Sequence, residues 1–244
     1  MYHSVTFGSK NSYTDWHLVP DGRPVISTPG VKKNFVEIPG LSGSLDFSEL
    51  LTDFPLYSNR SGSLSFHVLT DYTNGQTWAD RYAEIMNYIH GRRSRIILED
   101  DPNYFYEGRI SVNSWTSNND GSGSSISFDY DLDPYKYYYN SDNPNDDGMM
   151  VYSGVNNFSV LLGNDVGNMP VVPEFIVSNI GSNGITITWS NPERNILNST
   201  KDITTNGVNT FHDLILTNLS GNNNCSVTIT GTGNTKMIFR KGML

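Results

Sequence analysis

The sequence lacks the residues on which several protein classes depend. It has 244 residues and one cysteine, Cys225, so no intrachain disulfide can form and no thiol pair can hold zinc. No apolar run approaches the ~20 residues that a helix needs to span a bilayer, and residues 1–10 lack the basic segment and apolar core of a secretory signal. We therefore expect neither a disulfide-based scaffold nor a membrane partner.

Basic and charged residues are also scarce. Lys and Arg number 16 against 25 Asp and Glu, which gives a net charge of −9 and a pI of about 4.9. Charged residues make up 17% of the chain, against about 25% in an average globular domain. A protein that wraps a nucleic acid needs clustered Lys and Arg to neutralise phosphates, so this balance argues against such a function.

No constellation of catalytic or metal-ligating residues is present. The five histidines have no HxH or HExxH spacing, and no serine lies in a GxSxG context. Acidic clusters at residues 99–101 and at Asp129, Asp131 and Asp133 fit a hairpin turn and an exposed strand face, where like charges are tolerated in water. The sequence therefore predicts no catalytic residue, no metal, no cofactor and no enzymatic activity.

Small polar residues and aromatic residues fill the composition instead. The chain contains 28 Asn, 28 Ser and 19 Thr, together with 4 Trp, 14 Tyr and 11 Phe. So many aromatic residues exclude a disordered chain. This composition favours a folded protein, rich in β-structure, with one or two domains.

The first half of the chain predicts strands and one helix. Apolar residues on a helical period from Trp78 to Ile89, with Thr77 as N-cap and Gly91 after the C-terminus, predict the helix. Alternating residues predict strands over 2–7 and 12–19, a half-buried strand through Leu64, Phe66 and Val68, a hairpin around Asp101-Pro102-Asn103 and a strand over 124–139. Prolines 20, 24 and 29 predict an extended arm or a surface loop over residues 20–30.

A polar segment separates the two halves. Residues 141–148 (SDNPNDDG) contain no apolar residue, and short strands separated by Gly and Asn turns follow from residue 149. We predict a mainly β protein with an N-terminal domain over 1–139, a linker over 140–148 and a C-terminal β-sandwich over 149–244. The first domain is expected to be β-sandwich-like, with one α-helix and a β-hairpin.

The aromatic residues leave a second function open. Tyr135, Tyr137, Tyr138, Tyr139 and Trp189 would stack on sugars in a carbohydrate-binding adhesin module, or pack in the core and at strand ends. Large aromatic side chains bury much apolar area, so packing in the core is favoured over a sugar platform.

An ordered set of motifs in residues 1–139 resembles the distal tail protein (Dit) family of siphoviruses and of prophages in Gram-positive bacteria. The set runs through residues 12–18 (SYTDWHL), 23–24 (RP), 36–40 (VEIPG), 43–47 (GSLDF), 57–60 (YSNR), the helix that ends in YIHG at 88–91, and the hairpin that ends in EGR at 107–109. The second half resembles the family's galectin-like β-sandwich more loosely, through its ending at 239–242 (FRKG).

The resemblance implies a structural protein at the virion tail tip, assembled in the bacterial host cytoplasm. Family members form a homohexameric ring, the baseplate hub, that joins the tail tube protein to the tail-tip protein (Tal) and carries receptor-binding or other baseplate proteins. The N-terminal domain encloses a channel through which DNA passes without specific binding, a function for which an acidic protein is suited. The galectin sugar motif is missing, since His212 is followed by Asp213-Leu214.

The resemblance also points to individual residues as structural or interface positions. They are Trp16, Arg23, Pro24, Ile38, Pro39, Gly40, Asp46, Arg60, Trp78, Gly91, Gly108 and Arg109.

Overall fold

The chain forms two compact units, each with its own hydrophobic core. The computed structural model describes residues 2–69, 76–116, 123–139, 148–219 and 225–244. The first unit is Met1–Lys136 and the second is Tyr137–Leu244. The predicted linker over 140–148 lies outside the described residues except for Gly148, and the predicted domain boundaries stay predictions.

The first unit contributes seven strands to one curled sheet, in the order β2-β1-β7-β8-β9-β6-β3, and each neighbouring pair in this order is antiparallel. Two further strands, β4 and β5, pair only with each other. The strands are β1 Val5–Phe7, β2 Lys10–Asn11, β3 Leu18–Pro20, β4 Phe35–Glu37, β5 Ser44–Asp46, β6 Arg60–Val68, β7 Arg92–Leu98, β8 Tyr104–Thr116 and β9 Ser125–Leu132. The predicted hairpin is confirmed, because β7 and β8 pair antiparallel across residues 99–103.

The predicted helix is confirmed as α1, Trp78–Ile89. Thr77 and Asp80 form a reciprocal capping box, which satisfies two main-chain donors at the helix N-terminus. Trp78, Ile85 and Ile89 are buried against the sheet, as the helical period predicts. The helix also buries Arg81, which the apolar stripe does not predict.

The second unit contains two four-stranded antiparallel sheets, in the orders β11-β18-β13-β16 and β12-β17-β14-β15. The strands of these sheets are β11 Met149–Val155, β12 Phe158–Leu161, β13 Glu174–Ser178, β14 Ile185–Asn191, β15 Ile196–Ile203, β16 Gly207–Thr210, β17 Ser226–Gly231 and β18 Asn234–Arg240. Two short strands outside them, β10 Lys136–Tyr138, which begins at the last residue of the first unit, and β19 Gly242–Met243, pair with each other. Both sheets contribute inward side chains to one core, for example Phe175 and Ile187. The predicted fold class, mainly β with one helix, is confirmed.

One sequence-based expectation for the first unit needs correction, and one open alternative is decided. Residues 12–16 form a turn and not part of a strand, because the Asn11 side chain accepts hydrogen bonds from the main-chain nitrogens of Tyr13 and Thr14. The segment after β3 was predicted to be an extended arm or a surface loop, and it is a loop, since Asp21 N donates to Ser65 O and Ser27 Oγ donates to Ser61 O. Residues 21–27 therefore run along β6 of their own unit.

Candidate assembly surfaces

Residues 30–58 leave the curled sheet and return to it as an arm. At the base of the arm the two chain segments pair with each other: Lys32 N donates to Leu56 O, and Ser58 N donates to Gly30 O, both at 2.8 Å. Beyond this base, β4 and β5 form a two-stranded hairpin. An isolated hairpin of two strands is only marginally stable in water.

The arm exposes its apolar side chains. No residue from 30 to 59 is buried. Val36 and Leu45 lie directly opposite each other on one hairpin face and are 42% and 39% exposed. The other exposed apolar residues of the arm are Val31, Phe35, Ile38, Leu41, Leu50, Leu51 and Leu56. Contiguous apolar exposure of this kind marks an interaction site.

Sequence reasoning missed most of these residues. Ile38, Pro39 and Gly40 were expected from the family motif and lie in the exposed hairpin tip, where Gly40 has φ of +87°. Phe35 and Leu51 were not expected, because short apolar strands look alike whether they bury themselves or bind another chain. The available signal was the shortness of the segment between Pro29 and Pro55, which leaves little chain to build a core.

Asp46 closes the base of the hairpin. Its carboxylate accepts hydrogen bonds from the main-chain nitrogen and the hydroxyl of Ser48, and these bonds lower the pKa of Asp46. The Ser48 hydroxyl in turn accepts from Asn34 N at 2.8 Å. Asp46 therefore shapes the arm rather than presenting a free charge.

Arg60 anchors the segment that leads into the arm. Its buried guanidinium donates to Ser27 O and to Pro134 O, both at 2.8 Å, and its charge lies 5.4 Å from the centre of the Tyr106 ring. Burial lowers the pKa of Arg60, although an arginine stays protonated across the physiological range. Arg60 therefore holds the segment at Ser27, before the arm, close to Pro134, after β9.

Arg23 and Pro24 hold an earlier part of the segment between β3 and the arm. Arg23 Nε donates to Asp100 at 2.7 Å, and His3 Nδ1 donates to the same carboxylate at 2.9 Å. These hydrogen bonds, that of His3 first, lower the pKa of Asp100. Pro24 is buried. The turn between β7 and β8 is thereby tied to the N-terminus and to the segment after β3.

Trp16 and Trp78 belong to the core of the first unit. Trp16 is fully buried, and its ring centre lies 5.8 Å from that of Phe7. Trp78 begins α1 and packs at 5.7 Å against Trp115, which is partly exposed at the end of β8. Both tryptophans stabilise the unit and leave little surface for a partner.

The three remaining motif residues position β8. Gly91 follows α1 with φ of +71°, and its nitrogen donates to Ile110 O. The Arg109 guanidinium donates to Gly91 O and so fixes the same turn. At Gly108 a Cβ atom would lie 2.2 Å from Asp131 O and 2.5 Å from Leu132 Cα, so β8 and β9 approach too closely for any side chain there.

The outward face of β6, β8 and β9 consists almost entirely of small polar side chains. Strand pairing aligns four rows across the three strands, and we call this surface the serine face. Its members are Ser61, Ser63, Ser65, His67, Arg109, Ser111, Ser114, Thr116, Ser125, Ser127, Asp129 and Asp131. Hydroxyls pair across strands, as at Ser114 and Ser127 (2.9 Å). Eight of the twelve members are Ser or Thr, and none is lysine.

The acidic clusters noted in the sequence have structural partners. Lys136 Nζ lies 2.6 Å from Asp101, and Arg93 binds Asp133. Among the described residues, no group of three or more His, Cys, Asp or Glu side chains could hold a metal ion. Within the same part of the chain, no helix is long and apolar enough to cross a bilayer.

Four of the five aromatic residues considered for sugar stacking make other contacts within the protein. Trp189 is 2% exposed and lies in the core of the second unit. Tyr135 packs edge-to-face against Tyr57 at 5.9 Å, and Arg240 and Lys241 lie over the rings of Tyr137 and Tyr138. Trp189 therefore cannot form a sugar platform, and the core arrangement that the sequence favours is confirmed for this residue.

No protein-family profile matches the chain, and no curated protein sequence matches it. Among solved structures, the chain has the fold of a phage adsorption-hub protein. The matching structure is the crystal structure of SPP1 Dit, described as a paradigm of the hub adsorption apparatus in phages that infect Gram-positive bacteria. The match covers 100% of both chains with a TM-score of 0.62 and 13% sequence identity. The resemblance to the distal tail protein family is thus confirmed for the fold, over the whole chain.

Proposed function

We propose that this protein is a structural hub at the tip of a long, non-contractile phage tail. Six copies form a ring that joins the tail tube to the tail-tip protein and carries receptor-binding or other baseplate proteins. The ring has a central channel for DNA, and the protein is assembled into the virion in the bacterial host cytoplasm. The full-length match to the fold of SPP1 Dit supports this function.

The single observation that carries self-assembly is the arm. A closed ring is a heterologous assembly, in which one surface of each copy binds a different surface of the next. An arm with nine exposed apolar residues and none buried supplies one such surface. Docking of the arm on a neighbouring copy would bury the Val36 and Leu45 face and stabilise the hairpin.

The serine face supports a channel that does not hold DNA. Phosphates are held by Lys and Arg, and this face has Arg109 at one corner and two aspartates within its rows. Small hydroxyl side chains leave a level surface, and the net charge of −9 repels a polyanion. We assign the serine face to the channel wall of the ring.

Light scattering coupled to size exclusion tests the ring. We expect the full chain to have the mass of a hexamer or a multiple of it, and the double variant Val36→Asp with Leu45→Asp to lose ring assembly. Leu197→Asp is the matched control, because Leu197 is an exposed apolar residue on β15, outside the arm. Circular dichroism checks that all variants are folded.

Two results would overturn the proposal. One is a wild-type chain that stays below hexameric mass at all concentrations and also in the presence of the cognate tail-tip protein. The other is an arm variant that assembles as the wild type does.

A further inference from the structure

The two sheets of the second unit have different outward faces. On β12-β17-β14-β15 the outward side chains are mostly Ser and Thr, as at Thr188 and Thr228. On β11-β18-β13-β16 they include Val151, Ile176, Val208 and Ile238, and Val208 is 64% exposed. A sheet that faces water on one side normally alternates apolar and polar residues, whereas the face with Val151, Ile176, Val208 and Ile238 exposes apolar residues among charged and polar ones, and we call it the apolar face.

The centre of this apolar face is a rectangle of four side chains. Glu174 on β13 pairs with Ile238 on β18, and the next outward pair is Ile176 with Lys236. The two isoleucines therefore occupy one diagonal of the rectangle, and Glu174 and Lys236 occupy the other. Within the described residues, Glu174 and Lys236 form no ion pair with each other or with another side chain.

This arrangement is complementary to itself. Consider a second copy that is related to the first by a 180° rotation about an axis along the isoleucine diagonal. Each Glu174 then lies close to Lys236 of the other copy, and each isoleucine lies opposite the same isoleucine of the other copy. An interface of this kind is isologous, because both partners use the same patch. Opposite charges on such a patch set its register and exclude other partners.

The geometry of β-sheets agrees with this contact. Strands lie about 4.8 Å apart and alternate residues about 6.7 Å apart along a strand, so the diagonal runs roughly 35° from the strands. The strands of the two copies would then cross at roughly 70°, which is close to the orthogonal class of sheet packing.

We infer that the apolar face of β11-β18-β13-β16 binds a second copy of this chain through an isologous contact. The contact is separate from the ring contact of the arm, and it doubles whatever assembly the arm makes. A sugar is the poorer occupant, since no outward residue of these four strands is aromatic.

Charge reversal in the full chain tests the contact by light scattering. Glu174→Lys or Lys236→Glu alone places like charges across the interface, and we expect each to halve the mass and to raise the apparent Kd at least tenfold. The double variant restores opposite charges and is expected to restore the mass. Asp202→Lys on the outward face of β15 is the control, and its mass should equal that of the wild type.

A cross-link tests the symmetry directly. Sheets that pack face to face lie about 10 Å apart, so a bismaleimide of that span, and not a disulfide, should join two Ile176→Cys chains. Thr188→Cys on the other sheet is the control, and the native Cys225 is buried. Cross-linking of Ile176→Cys to a dimer in denaturing gels, with none for Thr188→Cys, supports the contact.

The proposal is wrong if the single reversals leave the mass unchanged, if the double variant stays dissociated, or if both cysteine variants cross-link equally. These failures are distinct from failure of the ring. The Val36→Asp, Leu45→Asp variant lacks the ring contact, and it should still form a dimer that Glu174→Lys dissociates.

Discussion

The guanidinium of Arg60 donates a hydrogen bond to the main-chain carbonyl of Ser27, 2.8 Å away, from the first residue of β6 to the segment that leads into the arm. A second bond from the same side chain reaches Pro134 O beyond the end of β9. One side chain thus joins three separate parts of the first unit. These two hydrogen bonds hold the chain at the point where it enters the arm.

Replacement of Arg60 should be destabilising. Arg60→Met leaves two part-buried carbonyls without their donor, and we expect the free energy of unfolding to fall by about 2–3 kcal/mol. Urea unfolding followed by tryptophan fluorescence measures the change. Arg92→Met, at an exposed arginine on β7, is the control and should change stability by less than about 0.5 kcal/mol. Equal stability of the two variants would contradict the anchoring role.

A methyl group at Gly108 should separate β8 from β9. Its Cβ would lie 2.2 Å from a main-chain oxygen, and neither strand can move without breaking pairs on its other side. We expect Gly108→Ala to cost about 2–3 kcal/mol of unfolding free energy, as overpacked sites do. Gly22→Ala is the matched control because nothing lies within 4 Å of its Cβ position. A Gly108→Ala protein as stable as Gly22→Ala would refute the close approach.

The Asp100 cluster should make stability depend on acid pH. Hydrogen bonds from His3 and Arg23 lower the pKa of Asp100 in the folded state. The stabilisation is therefore fully present above the unfolded pKa of about 3.9 and is lost as the pH falls through the lower folded value. Asp100→Asn should have a lower Tm than the wild type at pH 6, and the difference should shrink below about pH 4. A difference independent of pH would exclude this linkage.

Lysines on the serine face should make the assembled ring hold DNA. Wild-type protein should not retain DNA at low salt, whereas Ser63→Lys, Ser65→Lys and Ser127→Lys together should bind it with a steep salt dependence. The control places three lysines on the outward face of β12-β17-β14-β15, at Thr186, Thr188 and Thr228. Gel-shift assays at several salt concentrations compare the two. Equal binding by both variants would show that charge alone, and not the serine face, determines retention.

The thiol of Cys225 should report the unfolding of the second unit. Burial raises the pKa of Cys225 to about 11, so only about one thiol in a thousand is ionised at pH 8. Alkylation by iodoacetamide should be negligible in the folded protein and rapid in urea, with the same midpoint as unfolding. Fast labelling without urea would show that this part of the core opens locally.

Local patterns predicted much of the fold because they determine local structure. The capping box at Thr77 and the helical apolar period determine α1, and alternation at Ile185, Ile187 and Trp189 determines a strand with one buried face. The Asn11 side chain overrides alternation in the next residues, since it offers the main chain a competing hydrogen-bond partner.

The candidate surfaces were harder to predict for a physical reason. Val36 and Ile38 have the spacing of a core strand, and the sequence does not state whether the matching apolar surface belongs to the same chain or to another copy. Glu174 and Lys236 are 62 residues apart, and only the pairing of β13 with β18 makes them neighbours. Motif residues such as Trp16 and Gly108 lie within the scaffold of the first unit, away from the exposed surface.

The exposure of the arm should make an unassembled copy more accessible to proteases than an assembled one. Its hairpin has no buried residue of its own, so its order depends on the neighbour that it binds. The arm of a free copy is an extended, accessible segment between Gly30 and Ser58, whereas in the proposed ring a docked arm is shielded from proteases. On the proposed function, limited proteolysis should therefore cut free copies within the arm before it cuts assembled ones.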